Sequence, residues 1–139
     1  MKPFIRFFTE VGKLRKIPRR GGVLIGSKSP SSITDHLFRV VLMALVLGRK
    51  RKGNLSMTKV MEMALVHDLC ELYTGDKSPY DHNSILPKDK KKWPELFDRW
   101  PRLTTQEKKR KAGQKYKSER MALDKLLKGL PLDIKREIK

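Results

Sequence analysis

Cysteine is almost absent from this chain: Cys70 is the single one in 139 residues. No intramolecular disulfide is possible, and such usage fits a reducing, cytoplasmic setting. Its apolar, helical neighbours make Cys70 a small core residue rather than a reactive thiol. Long apolar runs are missing too. The longest, Val40 to Leu47, falls far short of the ~20 residues a membrane-spanning helix needs. The stretch from Met1 to Glu10 is interrupted by charge and lacks the apolar centre of a signal peptide. Neither export by such a signal nor membrane embedding is expected. Negative charge is scarce: 15 Asp and Glu face 33 Lys and Arg, a formal net charge of +18. Between Lys88 and Arg120, 13 basic residues stand against 5 acidic ones. Such a field attracts nucleic acids and small phosphates alike. Zinc-finger spacings, Arg/Gly repeats and aromatic stacking motifs do not occur, so charge alone speaks for non-specific nucleic-acid contact.

What is present is helical periodicity. Phe4, Phe7, Phe8, Val11 and Leu14 predict a first helix from about Pro3 to Lys16. Pro18 and the pair Gly21-Gly22 then break it, and Val23-Leu24-Ile25 could be extended but has no partner strand. A second helix is predicted after Pro30, capped by Ser31 or Ser32, with Asp35 in its first turn and Gly48 as its stop. Ser56 or Thr58 caps a third, in which Val60, Met61, Ala64, Leu65 and Asp68 keep a helical period up to Thr74-Gly75. Pro79, Pro87, Pro94 and Pro101 punctuate a basic loop over 80–104. Thr104 or Thr105 opens another helix, reaching Gly129, and a last short one follows Pro131. No strand pattern holds, so the architecture reads as all-α.

The chemistry concentrates in one stretch, Ala64-Leu65-Val66-His67-Asp68-Leu69-Cys70-Glu71-Leu72-Tyr73-Thr74-Gly75-Asp76. A neutral imidazole beside a carboxylate suits a divalent cation that activates water. On a helix His67 and Glu71 share a face, with Asp68 adjacent. Glu71 can then serve a water on the same cation, and Gly75 permits a turn that folds Asp76 back over the site. His36, in Asp35-His36-Leu37-Phe38-Arg39-Val40, offers an imidazole from a separate helix. His82 is a spare imidazole in a Pro-bounded loop and is expected to face solvent.

In Asp35 to Val40, His67-Asp68 through Glu71, and Tyr73-Thr74-Gly75-Asp76, the sequence resembles the HD-domain metal-dependent phosphohydrolases. The specific likeness is to the YfbR-like 5′-deoxynucleotidases and the HD-domain-containing protein 2 group. It covers Phe8 to Pro79 nearly throughout and Glu119 to Pro131 more loosely. The resemblance implies an all-α HD-domain helical bundle with one divalent metal ion, cobalt, manganese or similar. Carried over, His36, His67 and Asp68 are metal ligands, Glu71 holds or activates the hydrolytic water, and Asp76 assists proton transfer near the phosphate. Arg19 matches a basic residue that contacts the substrate phosphate, a role that suits a planar guanidinium. The implied reaction removes phosphate from a (deoxy)nucleoside 5′-monophosphate, and the implied assembly is a homodimer.

Two departures stand out. The family has a Trp after the Arg-Gly turn where this chain has Gly22. The family's fourth metal ligand is an Asp on a helix beyond the one that begins at Pro131, whereas the late aspartates here are Asp124 and Asp133. Both are expected on helix surfaces or caps. The expectation is therefore a single HD domain over 1–139 that lacks the final helix or helices. Two other readings compete: an HD hydrolase acting on another phosphorylated nucleotide, and a basic nucleic-acid-binding helical protein without turnover.

Overall fold

The structure is a computed structural model, and it describes residues 1–51, 53–77, 89–92 and 103–139. His82 and most of the Pro-punctuated segment lie outside the described residues. The remainder is helical: α1 (Lys2–Val11), α2 (Arg20–Leu24), α3 (Ile33–Lys50), α4 (Met57–Val66), α5 (Glu71–Thr74), α6 (Thr105–Leu126) and α7 (Leu132–Ile138). Short 3-10 turns occupy Gly12–Lys16 and Lys90–Lys92. No β-strand occurs among the described residues, where the extended pairing is one isolated antiparallel bridge, Pro18 to Ser32.

The helix starts follow from capping chemistry. Ser32 Oγ accepts from the Asp35 amide at 3.2 Å while the Asp35 carboxylate accepts from the Ser32 amide at 2.7 Å, a reciprocal capping box that opens α3. Thr104 and Glu107 do the same for α6, at 3.3 and 2.9 Å. Ser56 caps α4 through the Lys59 amide.

Four expectations are corrected. The first helix reaches Lys16, but it tightens from α to 3-10 at Gly12. Arg20 to Leu24 form a helical turn, so Val23 and Leu24 are not extended; with no partner strand, local bonds such as Val23 N–H to the Arg19 carbonyl satisfy the backbone. Gly48 does not stop α3, which runs on to Lys50. Its missing side chain serves packing instead, because a Cβ there would lie 2.7 Å from the Met57 sulfur. The third predicted helix divides into α4 and α5 around a turn at His67–Cys70.

The core is small. Leu14, Ile33, Leu37, Leu69 and Leu126 are its buried centre, with Phe7, Val11, Ile17, Val66, Leu72, Tyr73 and Leu123 packed around it. These residues come from α1 and the 3-10 turn after it, α3, the α4–α5 stretch and α6, and the cluster joins the α3 face bearing Leu37 to the His67–Cys70 turn. Arg6 ties α1 to the end of α6 by donating to the carbonyls of Lys125 and Lys128, each at 2.7 Å. Carbonyls in the last turn of a helix lack the full set of amide partners, and a cation there also meets the negative end of its dipole.

Candidate metal centre

Two imidazoles and a carboxylate meet where α3 faces the His67–Cys70 turn. His36 lies one turn into α3, between the buried anchors Ile33 and Leu37. The capping box therefore fixes the helix start that sets its direction. Beyond Val66 the amides bond three residues back: Leu69 to Val66, Glu71 to Asp68, Leu72 to Leu69, at 3.0–3.3 Å. This tighter winding buries Leu69 and Cys70 while His67 and Asp68 stay less buried and meet His36. One ligand atom each from His36, His67 and Asp68 falls within 4.8 Å of the other two.

Hydrogen bonding sets the chemical form of these groups. His67 Nδ1 lies 2.9 Å from the Ala64 carbonyl. A carbonyl only accepts, so Nδ1 is the donor there and Nε2, on the Asp68 side, is the nitrogen that could ligate a cation. His67 Nε2 is 3.2 Å, and His36 Nε2 3.4 Å, from Asp68 Oδ2. Burial, and then the neighbouring Arg19 charge, lower the His36 pKa and favour the neutral, ligating imidazole.

Glu71 is the buried charged residue among the described ones, at 3% exposure. Desolvation, reinforced by Asp68 and Asp76, pushes its carboxyl up to about 8. Its Oε2 makes no hydrogen bond, although Arg19 Nη1 stands 3.5 Å away. Asp76 arrives by the predicted turn. Gly75 adopts φ +70°, which favours glycine, and donates to the Glu71 carbonyl at 2.8 Å. Asp76 Oδ2 then accepts from Arg19 Nε at 3.1 Å and from the Arg20 amide at 2.8 Å.

Arg19 itself is delivered by a pinned backbone. Its amide donates to the Ser31 carbonyl at 2.7 Å, and Ile33 donates to the Ile17 carbonyl at 2.9 Å. All six sequence-picked residues, His36, His67, Asp68, Glu71, Asp76 and Arg19, thus form one connected group. Asp124 and Asp133 do not join it: both are exposed, and Asp124 pairs with Lys139. The sequence reading missed the Arg20 amide, since a backbone donor leaves no trace in residue type. It also missed that Arg19 touches three carboxylates rather than standing free. Cys70 is buried, and burial raises its thiol to about 11, as a core residue requires.

Residues 11–139 match the family described as the HD domain. The chain belongs to the HD-domain family. The 5′-deoxynucleotidase HDDC2 of Mus musculus is 32% identical over 119 residues, covering 73% of this chain and 57% of the relative. The protein of that name from Homo sapiens is 30% identical over 122 residues, covering 76% and 57%. The 5′-deoxynucleotidase YBR242W of Saccharomyces cerevisiae is 33% identical over 91 residues, covering 65% and 37%. This HD-domain chain spans about half the length of the curated relatives it matches. Among solved structures, a conserved hypothetical protein from Pyrococcus furiosus superposes with TM-score 0.52 at 24% identity, covering 96% of this chain and 98% of that one. The PH0347 protein from Pyrococcus horikoshii gives the same score and identity, covering 96% and 85%. At that identity the likeness is one of fold.

The donors of this HD domain fit a divalent ion. Two imidazole nitrogens and one carboxylate oxygen, gathered beside a buried carboxyl with an unbonded oxygen, match the preferences of a borderline dication. Three protein donors also leave positions open for water or substrate.

Proposed function

We propose that the chain is a metal-dependent phosphohydrolase that removes phosphate from (deoxy)nucleoside 5′-monophosphates, using one divalent ion such as cobalt or manganese. The observation that carries this reading is the convergence of His36, His67 and Asp68 within 4.8 Å, flanked by a buried carboxyl and a guanidinium. The names of the curated relatives supply the substrate class.

His36, His67 and Asp68 would hold the ion. When bound, it supplies Lewis acidity that lowers the pKa of water. Glu71 holds and deprotonates the attacking water. Its raised pKa, about 8, lies close enough to neutrality for a proton acceptor that must later release its proton. Its buried Oε2 makes no hydrogen bond, which leaves an acceptor for that water. Arg19 receives the phosphate, for which a planar fork of donors suits a dianion. Asp76 keeps the guanidinium in place through Nε and assists proton transfer near the phosphate. A homodimer in the cytoplasm is the accompanying expectation from the resemblance and the cysteine usage.

The test is phosphate release from deoxynucleoside and ribonucleoside 5′-monophosphates and from triphosphates, with manganese, with cobalt, and after chelation. Release from monophosphates alone, abolished by chelation, is expected. Hydrolysis that persists in chelator, or that is confined to triphosphates, would contradict the assignment.

A further inference from the structure

The oxygen at the centre of the proposed ion site already faces a cation. Asp68 Oδ2, within 3.4 Å of both imidazole Nε2 atoms, accepts a hydrogen bond from Arg19 Nη1 at 3.0 Å. The same guanidinium lies 3.5 Å from Glu71 Oε2 and, through Nε, 3.1 Å from Asp76 Oδ2. One positive charge therefore serves three carboxylates. A guanidinium cannot lose that charge by deprotonation, so it has to be displaced or tolerated when a second cation enters. Resting on the reading of His36, His67 and Asp68 as the ion site, the geometry points to Arg19 as an internal counter-cation. It competes with the divalent ion for Asp68 and thereby sets the affinity of the site.

Two effects act in the same direction. The Asp68 oxygen that would coordinate is engaged as a hydrogen-bond acceptor, and coordination has to share it or displace the donor. A fixed positive charge beside a ligand atom also makes the ion's position less favourable, an interaction that water screens only in part at a half-buried site. The arrangement has an opposite consequence for the ion-free protein. There Arg19 is what keeps Asp68 and Asp76, on either side of the buried Glu71, from facing one another uncompensated. Its removal should therefore weaken the ion-free fold and strengthen ion binding. A side chain that served only packing would not produce opposite signs.

The placement comes from the fold, not from a loose side chain. Arg19 is anchored by its amide to Ser31, immediately before the Ser32 cap of the helix that carries His36. Asp76 is held from its other side by the Arg20 amide, so the Nε contact gives the guanidinium an anchor independent of Asp68.

The experiment is calorimetric titration of Mn²⁺ alone into the chelator-stripped full chain, near neutral pH and at low salt. It uses wild type, Arg19→Ala, Arg19→Lys and His67→Ala, with circular dichroism and thermal melts of each. Arg19→Ala is expected to bind Mn²⁺ about ten-fold more tightly than wild type, a typical size for coupling between neighbouring sites. It should also melt lower without the ion and gain more from adding it. Arg19→Lys, which keeps the charge but loses the fork, should fall between, and His67→Ala should not bind. Equal or weaker Mn²⁺ affinity in folded Arg19→Ala, with wild type binding normally, overturns the competition and leaves the ion site standing. If Arg19→Ala does not fold, Arg19→Lys decides by the same criterion. No Mn²⁺ binding by any form overturns the ion site and this inference with it.

Discussion

Glu71 shows how much one side chain can report. Its carboxyl titrates at about 8 in the folded chain against an ordinary 4.5, with desolvation as the main cause. The folded state thus binds this proton more tightly than the unfolded state. The resulting stability is fully present below about 4.5 and is lost as pH rises through about 8. Stability of the chelated protein should fall across that window, and Glu71→Gln, which mimics the protonated form, should flatten the decline in denaturant melts against pH. The same substitution should lower phosphate release by roughly 100-fold or more while Mn²⁺ still binds, because a base is lost and no ligand is. Loss of ion binding in that variant would place Glu71 among the ligands. The candidate residues that the fold brings together were legible at this scale because His, Asp and Glu in fixed order carry their chemistry in residue type. Their couplings were not. That Arg19 reaches Asp68, Glu71 and Asp76 together depends on the backbone bridge near Pro18 and Ser32, between segments that are separate in sequence.

Among the helices, the capped starts of α3, α4 and α6 were legible, and the end of α3 and the break between α4 and α5 were not. Ser32 with Asp35 and Thr104 with Glu107 are local pairs whose bonding depends on only two intervening residues. Gly48 read as a stop because glycine ends helices in isolation, whereas here it makes room for Met57 of the next helix. The division between α4 and α5 escaped periodicity because the residue spacing hardly changes when bonds shorten from four residues to three. Replacing Ser32 by Ala should cost about 1 kcal/mol, a typical capping loss, and should lower the melting temperature by several degrees. Part of the ion affinity should go with it, since His36 rides on that first turn. Gly75→Ala should cost about 1–3 kcal/mol, because φ +70° with ψ 163° is a backbone region essentially reserved for glycine, and should displace Asp76 from Arg19. An unchanged melt and unchanged turnover for Gly75→Ala would mean that the turn is not what positions Asp76.

For the whole molecule, charge is the dominant property. With +18 in formal net charge and Lys108, Lys109, Arg110 and Lys117 exposed along α6, the chain should draw anionic substrates toward it. Consequently kcat/KM for a nucleoside monophosphate should fall with added salt, and replacing those four residues by Gln should flatten the dependence. The same variant should lose affinity for single-stranded RNA while keeping its kcat, because none of the four belongs to the ion site. No helix among the described residues is long and apolar enough to cross a membrane. All-α architecture was legible because every apolar stripe follows the 3.6-residue period, while the packing of those stripes into one small core was not. The central claim is that His36, His67 and Asp68 hold one divalent ion on which phosphate release depends. It is tested most directly by titrating Mn²⁺ into the stripped protein while following bound ion and phosphate release together. The account predicts that both rise in parallel and saturate at one ion per chain, with neither seen in His67→Ala. Phosphate release without bound ion, or full release by His67→Ala, would contradict it.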